Sequence, residues 1–347
     1  MTGSLHAELS LTLDRADAWL DEQVKRLAEH DLLPVSRSPD AVEFQSSYGR
    51  FRLQAHGTDL QVRVESADAG GLEVLQETVS FYLLAHDGTL ADRMVWRGYD
   101  PQESLPANFR EMEVIDRRLV SPWMIRLTLK GRDIDHFAER GLHVRLMVPP
   151  AGIGRPPVWP KRSRSGAVVL PEGPDALTVR VYTIRAISLA LGEIDVDVVR
   201  HAGGAVADWA EVAAPGDRVG VMGPGGGSYP KDGWLLIGGD ETALPAISRI
   251  LEKRPKDARG HAVIGLRNAE ARIDPVAPDG FTVQWVVGGD GALVEAMRSV
   301  ALPADAGVWF AGEAETARQV RAHFREDLGL PAACVASAGY WRRDGSA

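Results

Sequence analysis

The chain has 347 residues, a formal net charge of −9, nine histidines and one cysteine. This length exceeds one ordinary core, so we expect two or three domains. The single cysteine, Cys334, excludes an internal disulfide and a protein-held iron–sulfur cluster, and the histidine spacings match no metal motif. No apolar run approaches the roughly 20 residues of a membrane span, and the start lacks a secretion signal. We therefore expect a cytoplasmic protein with no metal site and no membrane insertion.

The acidic charge is concentrated near the N-terminus. Residues 1–100 hold 9 Lys and Arg against 17 Asp and Glu, whereas the rest of the chain holds 30 against 31. Nucleic-acid phosphates demand a basic surface, so we expect no nucleic-acid partner. Because the larger remainder is neutral overall, an anionic substrate must be met by local basic clusters.

Residues 1–98 predict a small α+β domain. A strand in "LHAELSLTL" leads to an amphipathic helix from near Asp14, and three alternating strands precede a second helix from near Gly71. The stretch "RGYDPQESLPANFR" is typical of a linker.

Residues 109–230 predict an antiparallel β domain. About six alternating strands, interrupted by one short helix at "AVADWAEVAA", indicate a small closed barrel. The long Pro/Gly segment "PPAGIGRPPVWPKRSRSGA" lies between two of these strands, and a loop of that length is either functional or mobile.

Residues 231–347 predict a parallel α/β domain. Apolar runs are followed by glycine, an acid and a helical pattern in "WLLIGGDETALPAI", "VQWVVGGDGALVEAM" and "VWFAGEAETARQV". About five strands alternate with helices, which predicts a parallel sheet buried on both faces. The glycine–acid turns fall at the carboxyl ends of strands, where such sheets bind ligands. The segment "GPGGGSYPK" is not a phosphate loop, because Lys231 follows proline and precedes aspartate.

One predicted barrel strand carries an unusual combination of side chains. It reads Arg180-x-Tyr182-Thr183-x-Arg185. Alternation alone does not place an aromatic ring and a hydroxyl side by side between two guanidinium groups. The combination suits a flat, phosphorylated ligand, and the alternative is an ordinary solvated barrel strand.

The order of these motifs along the chain resembles one family. From about residue 110 to 345 the chain is similar to the siderophore-interacting proteins, a branch of the ferredoxin-reductase-like flavoproteins. The resemblance is carried by "RVYTIR", "IDVDVVRHAGG", "APGDRVGVMGPGG", "LLIGGDETALPAI", "FAGEAE" and "GYWRR". It implies an FAD-binding barrel followed by an NAD(P)H-binding domain. The N-terminal segment resembles a domain of unknown function that occurs fused to such reductases.

The resemblance assigns cofactor roles to the barrel residues. Tyr182 and Thr183 are the predicted catalytic pair, with Tyr182 stacked on the isoalloxazine and Thr183 hydrogen-bonded near its N5 edge. Arg180 and Arg185 would pair with FAD phosphates through forked donors. The remaining predicted FAD contacts are Ile184, His201, Ala205, Val206 and Ala207. The family usually has Gly-Pro-Ala-Ser before the helix tryptophan, whereas this chain has "GAVADW", so we expect FAD to bind more weakly than usual.

A second set of residues would bind the nicotinamide nucleotide. The turn that would receive its pyrophosphate comprises Gly239, Asp240, Glu241, Thr242 and Ala243. Gly312 and Glu313 end a neighbouring strand, and Arg267 with Arg272 would meet a 2′-phosphate, which favours NADPH over NADH. Tyr340 and Trp341 would border the flavin or nicotinamide face; the alternative is that both aromatics belong to the core.

The implied reaction passes hydride from NAD(P)H to FAD, and single electrons then reduce an Fe(III)–siderophore to release Fe(II). The predicted landing site for an anionic siderophore comprises Lys161, Arg162, Arg164, Lys231, Arg342 and Arg343. Two alternatives stay open: a general flavin-dependent reductase with another electron acceptor, and a non-catalytic flavin- or siderophore-binding module.

Overall fold

The structure is a computed structural model that describes residues 4–29, 32–99, 104–226, 229 and 232–343. The chain forms two compact units. The first comprises residues 1–109 together with 149–177, and the second comprises residues 110–148 together with 178–347. Residues 149–177, which the predicted boundaries assign to the barrel domain, therefore fold with the N-terminal segment.

The first unit is an antiparallel sheet with two helices packed against it. Its strands, in sheet order β2-β3-β4-β5-β1-β6, alternate buried and exposed residues, so one face is apolar and the other polar. The elements are β1 (Leu5–Thr12), α1 (Ala16–Glu29), β2 (Pro34–Arg37), β3 (Ala41–Ser46), β4 (Gly49–His56), β5 (Asp59–Ser66), α2 (Ala69–His86) and β6 (Arg97–Gly98). The structure confirms the predicted α+β class.

Helix α2 begins two residues earlier than the pattern predicts. Asp68 is its N-cap, and the Asp68 carboxylate accepts a hydrogen bond from the Gly71 amide at 2.8 Å. An acidic N-cap satisfies an otherwise unpaired amide and interacts favourably with the helix dipole.

The second unit begins with the barrel. Six antiparallel strands close in the order β12-β13-β8-β7-β14-β9, which confirms the predicted barrel. The elements in chain order are β7 (Phe109–Ser121), β8 (Met124–Lys130), α3 (His136–Glu139), β9 (His143–Val148), then β10 (Lys161–Arg162) and β11 (Val168–Val169) of the first unit, and β12 (Thr178–Ser188), β13 (Glu193–Val199), α4 (Ala205–Val212) and β14 (Arg218–Gly225).

Residues 149–177 are held in the first unit by a buried polar cluster. Arg162 lies 3.7 Å from the Glu73 carboxylate of α2 and donates to Gln76 at 2.9 Å. The Ser165 carbonyl accepts hydrogen bonds from the Ser80 hydroxyl and from the Trp96 indole, at 2.5 and 2.9 Å. The segment is thus an integral part of the first unit.

The second unit continues as a five-stranded parallel sheet in the order β17-β16-β15-β18-β19, as predicted. Apolar clusters cover both of its faces, so its central strands are buried throughout. The elements are β15 (Leu235–Gly239), α5 (Leu244–Lys253), β16 (Arg259–Leu266), β17 (Gly280–Val287), α6 (Gly289–Arg298), β18 (Gly307–Glu313), α7 (Ala314–Ala322) and β19 (Val335–Trp341).

The order in which strands are added across the sheet reverses between β15 and β18. The connection after β15 leads to β16 on one side, and that after β18 leads to β19 on the other. Ligands of open α/β sheets bind at such a switch point. Among the described residues, no helix is both long and apolar enough to cross a membrane.

Candidate active site

Strand β12 presents the Arg-x-Tyr-Thr-x-Arg motif with its first arginine exposed, its centre buried and Arg185 partly buried. Arg180 is exposed, Tyr182 is partly buried against the barrel core, and Thr183 is only 4% exposed. The pairing of β12 with β13 shifts between Ile184 and Ala186. Such a bulge interrupts the strict alternation of strand residues. Burial raises the pKa of Tyr182 to about 12, so its hydroxyl stays protonated at neutral pH.

Ile184 is committed to the protein rather than to a ligand. Its side chain is buried in the barrel core, its amide donates to the Leu142 carbonyl at 2.9 Å, and its carbonyl accepts from Arg249 at 3.1 Å. The predicted FAD contact through Ile184 therefore gains no support from its polar groups.

Three side chains meet where the barrel faces the last strand of the sheet. Thr183 of β12 lies opposite His143 of β9. The Tyr340 hydroxyl of β19 lies 2.5 Å from His143 Nε2, within hydrogen-bond distance. Burial raises the pKa of Tyr340 and lowers that of His143 to about 4, where the charge of Arg249 is the second cause. Both groups are therefore neutral near pH 7.

The buried His143 predicts an acid-sensitive second unit. Its ordinary pKa of 6.5 falls to about 4 on folding, so between these values the unfolded chain binds a proton that the folded chain does not. The free energy of unfolding should fall as the pH falls from 6.5 towards 4, by at most about 3 kcal/mol. Chemical unfolding across this range measures the slope. His143→Gln should flatten it, whereas His56→Gln, at an exposed position, should not; equal slopes in wild type and His143→Gln would contradict the assignment.

Helix α4 offers its backbone rather than side chains to a ligand. Val206 and Ala207 are buried in the barrel core, while Ala205 is exposed. The exposed His201 ring packs against the N-cap Gly204, where a Cβ atom would lie 2.2 Å from His201 Cε1. A serine at position 207 would turn its hydroxyl into the apolar core. The absence of the family serine thus removes no exposed hydroxyl, and a backbone contact at the helix start remains.

Asp240 organises the end of β15 at the switch point. Its carboxylate accepts hydrogen bonds from the Thr242 amide and hydroxyl at 2.8 and 2.5 Å, and from the Glu313 amide and Trp341 indole at 3.0 and 2.7 Å. Burial nevertheless raises the pKa of Asp240. A Cβ at Gly312 would lie 2.8 Å from Asp240 Oδ2, so this close approach requires glycine.

The structure brings the predicted pyrophosphate residues together, but backbone amides among them donate to the protein's own carboxylates. The Thr242 and Glu313 amides both donate to Asp240. Gly239 also requires glycine, because a Cβ would lie 2.2 Å from the Ala311 carbonyl oxygen, and Ala243 is fully buried. The Glu313 carboxylate accepts from the Glu315 and Thr316 amides at the start of α7. That the start of α5 receives a pyrophosphate stays a prediction, and there the Thr242 amide already donates to Asp240.

Arg267 is held in place by several partners. The Glu241 carboxylate accepts from its amide and its Nε at 2.5 and 2.6 Å, and its guanidinium lies over the Trp123 ring at 4.8 Å. Arg272 pairs with Asp274 at 2.7 Å. The predicted preference for NADPH requires Arg267 with Arg272 to meet a 2′-phosphate, and since Glu241 takes the amide and Nε of Arg267, only its Nη donors could do so.

Arg185 also has a protein partner in place of the predicted phosphate. It forms a two-point ion pair with Glu252 of α5, at 3.0 and 2.6 Å. We expect Arg185→Glu to weaken FAD binding by distorting β12, and the swap Arg185→Glu/Glu252→Arg to restore it. Flavin fluorescence titration measures both affinities, with Glu252→Gln as the control that leaves Arg185 unchanged. If the swap binds FAD no better than the single variant, Arg185 contacts the cofactor directly.

A basic groove lies between α7 and the end of β19. Its cavities of about 390 and 370 Å³ share Ala314, Arg318 and Arg342. The first also contains Arg321, Tyr340 and Trp341, and the second contains Arg343, which pairs with Asp290. Two predicted substrate residues, Arg342 and Arg343, therefore do meet at one surface, which we call the C-terminal groove.

The remaining predicted substrate residues are Lys161, Arg162, Arg164 and Lys231. Arg162 is buried in the first unit beside Glu73, so the prediction that it meets a siderophore is wrong. Lys161 and Arg164 are exposed on the first unit, and Lys231 lies outside the described residues.

Sequence reasoning missed His143, Arg249 and the α7 arginines. His143 becomes visible only through its pairing with Thr183 across the barrel, about 40 residues away in sequence. Arg318 and Arg321 have helical spacing that faces the C-terminal groove, but spacing alone does not distinguish them from ordinary solvated arginines.

Comparison with known proteins identifies the family. A model of the siderophore-interacting FAD-binding domain matches residues 113–228, and a model of the siderophore-interacting protein matches residues 232–344. The ferric vibriobactin reductase ViuB of Vibrio cholerae is 31% identical over 250 residues, which cover 67% of this chain and 89% of that protein. The chain belongs to the siderophore-interacting protein family.

Two further relatives agree with this assignment. An NADPH-dependent ferric-chelate reductase of Escherichia coli is 30% identical to this siderophore-interacting protein and covers 67% of it, with 92% of its own length matched. The crystal structure of SipS from Aeromonas hydrophila superposes with a TM-score of 0.59 at 30% identity, over 69% of this chain and 93% of that one. The barrel is accordingly the family's FAD-binding domain, and the N-terminal segment lies outside both family matches.

Proposed function

We propose that this protein is a cytoplasmic NAD(P)H-dependent, FAD-containing oxidoreductase that reduces ferric siderophores and releases Fe(II) for iron acquisition. One observation carries the proposal: His143, which lies opposite Thr183 of the predicted flavin strand, contacts Tyr340 of the last sheet strand at 2.5 Å. A flavin held by the barrel would thus lie where the nucleotide domain begins. The names of the relatives, a ferric vibriobactin reductase and a ferric-chelate reductase, support the same reaction.

The residues present fit FAD. Arg180 is exposed, and in the described part of the chain its guanidinium donates only to the Val179 carbonyl, so its remaining donors can face a phosphate. Tyr182 offers an aromatic face and Thr183 a buried hydroxyl on the same strand. The exposed His201 ring lies against Gly204 at the start of α4, where backbone amides could contact a phosphate. When bound, FAD converts a two-electron donor into one-electron steps.

The protein's own residues position and shield the reacting groups. Thr183, neutral His143 and Tyr340 form a polar cluster, in which His143 and Tyr340 are hydrogen-bonded, and it would hold the polar edge of the site without a net charge. Trp341, fixed by Asp240, ends the strand beside it. No side-chain acid or base has to react, so the main contributions are orientation and exclusion of water.

The C-terminal groove would receive the iron complex. Arg342 is exposed there beside Tyr340, so an anionic chelate bound to it lies next to the cluster that faces the flavin strand. Hard oxygen ligands hold Fe(III) more tightly than Fe(II), so reduction loosens the complex. Arginine suits such an acceptor because its planar fork can bind carboxylate or catecholate oxygens at two points.

Acceptor kinetics test this proposal. We expect Arg342→Glu to raise KM for anionic ferric 2,3-dihydroxybenzoate about tenfold and to leave KM for NADPH unchanged. Arg298→Glu, a change at an exposed position on the same domain, is the matched control and should change neither KM. A higher kcat/KM for a quinone than for every ferric chelate would instead favour a general flavin reductase, and equal effects of Arg342→Glu on both KM values would remove the groove from the acceptor site.

A further inference from the structure

Arg249 is a buried cation on the inner side of α5. Its side chain is 4% exposed. Its Nη1 donates to the Ile184 carbonyl at 3.1 Å and to the Leu142 carbonyl at 3.4 Å, and its Nη2 donates to the Phe137 carbonyl at 3.4 Å. All three acceptors belong to the barrel, so this one side chain joins the nucleotide domain to the barrel backbone.

The positive charge of Arg249 has no carboxylate partner within 4.0 Å in the described part of the chain. Burying an ion that is paired only with neutral carbonyls is costly. Burial lowers the pKa of Arg249, but a guanidinium keeps its proton in proteins. The folded protein therefore carries a net positive charge at this point, and an anion nearby would be stabilised by it.

This charge is placed directly behind the predicted flavin strand. Ile184, whose carbonyl Arg249 holds, follows Thr183 in β12, and Leu142 precedes His143 in β9. The charge already reaches this site, because it contributes to the low pKa of His143. One turn further along α5, Glu252 holds Arg185 of the same strand. Helix α5 thus holds β12 at two adjacent residues, Ile184 and Arg185.

We propose that Arg249 is a positioning residue that holds the Thr183 segment of β12 and electrostatically favours the reduced form of the bound flavin. This inference rests on the proposed function. A flavin that accepts two electrons and one proton gains one negative charge, and its proton comes from solvent. The buried guanidinium is a permanent positive charge held against the backbone of this strand, and a buried charge acts more strongly than a solvated one.

The reduction potential of the bound flavin tests the inference. We expect Arg249→Met to lower the equilibrium constant for two-electron reduction about tenfold, which is about 30 mV. Arg249→Lys keeps the charge, so its flavin potential should stay close to that of wild type. Lys253→Met removes an equal but exposed charge from the same helix and should change nothing. The potential is measured by reductive titration against an indicator dye, so it requires neither NADPH nor an iron acceptor.

A second measurement uses the FAD-free protein. Arg249→Met should raise the pKa of His143 towards 6.5, and Lys253→Met should not, as followed by the imidazole NMR signals. If wild type binds FAD and both readings are the same in Arg249→Met, the inference is overturned and the proposed function stands. If wild type binds no FAD, the proposed function and the flavin role of Arg249 are overturned together. If Arg249→Met does not fold, Arg249→Lys is the deciding variant. If the equilibrium constant for reduction falls about tenfold in Arg249→Lys despite the retained charge, the electrostatic role is contradicted.

Discussion

Replacing Glu73 by alanine is expected to lower the free energy of unfolding of the first unit by about 3–5 kcal/mol, because it leaves a buried arginine uncompensated. Glu73 is 2% exposed and faces Arg162, and its carboxylate also accepts from the Tyr99 hydroxyl at 3.0 Å and the Ala107 amide at 2.7 Å. One substitution therefore removes three interactions. Urea unfolding at neutral pH measures the loss.

Two variants distinguish this buried pair from ordinary surface charge. Glu8→Ala breaks an ion pair with Arg63 whose side chains are about half exposed, and it should cost less than about 1 kcal/mol. Glu73→Leu/Arg162→Met replaces both charges by apolar groups and should recover a large part of the loss. A loss below 1 kcal/mol in Glu73→Ala would contradict the buried cluster as the attachment of residues 149–177.

Replacing Arg180 by glutamine is expected to weaken FAD binding about 10- to 100-fold. A hydrogen bond to a charged group contributes about 1.5–3 kcal/mol, and each 1.4 kcal/mol is a factor of about ten in affinity. Arg180 is exposed at one end of the motif, and unlike Arg185 it has no carboxylate partner in the described residues. Flavin fluorescence titration gives the dissociation constants.

The controls for Arg180 separate the guanidinium fork from charge alone. Arg180→Lys should fall between wild type and glutamine, because lysine keeps the charge but not the two-point geometry. Arg118→Gln removes another exposed arginine of the barrel, paired with Asp116, and should leave affinity unchanged. If Arg118→Gln weakens FAD as much as Arg180→Gln does, the effect is general electrostatics and the phosphate role of Arg180 is wrong.

The architecture could be predicted because each domain has its own periodicity. Alternating strands indicate the barrel, and apolar runs ending in glycine and an acid indicate the parallel sheet, so both folds follow from the local pattern. The excursion of residues 149–177 into the first unit could not be predicted. It depends on Arg162 and Ser165 meeting α2 about 85 residues away, and a basic loop gives no local sign of such a partner.

The site was predictable in its residue types but not in their partners. Arg180, Tyr182 and Thr183 stand out because their combination is unusual on a strand. In the sequence pattern Arg185 cannot be distinguished from Arg180, although in the structure Arg185 forms an ion pair with Glu252 of a helix distant in sequence. Likewise, the sequence indicates that Arg267 is an exposed loop arginine, whereas in the structure it pairs with Glu241. Ion pairs between segments far apart in sequence leave no periodic signal.

The central claim is that one protein carries both halves of an electron transfer from NAD(P)H to a ferric siderophore. The most direct test is an anaerobic visible spectrum of FAD-supplemented protein, to which NADPH and then a ferric siderophore are added. The account predicts that the flavin absorption bands disappear with NADPH and return with the siderophore, while an Fe(II) chelator traps the product. Flavin bands that persist after NADPH addition, or protein that holds no flavin after gel filtration, would contradict it.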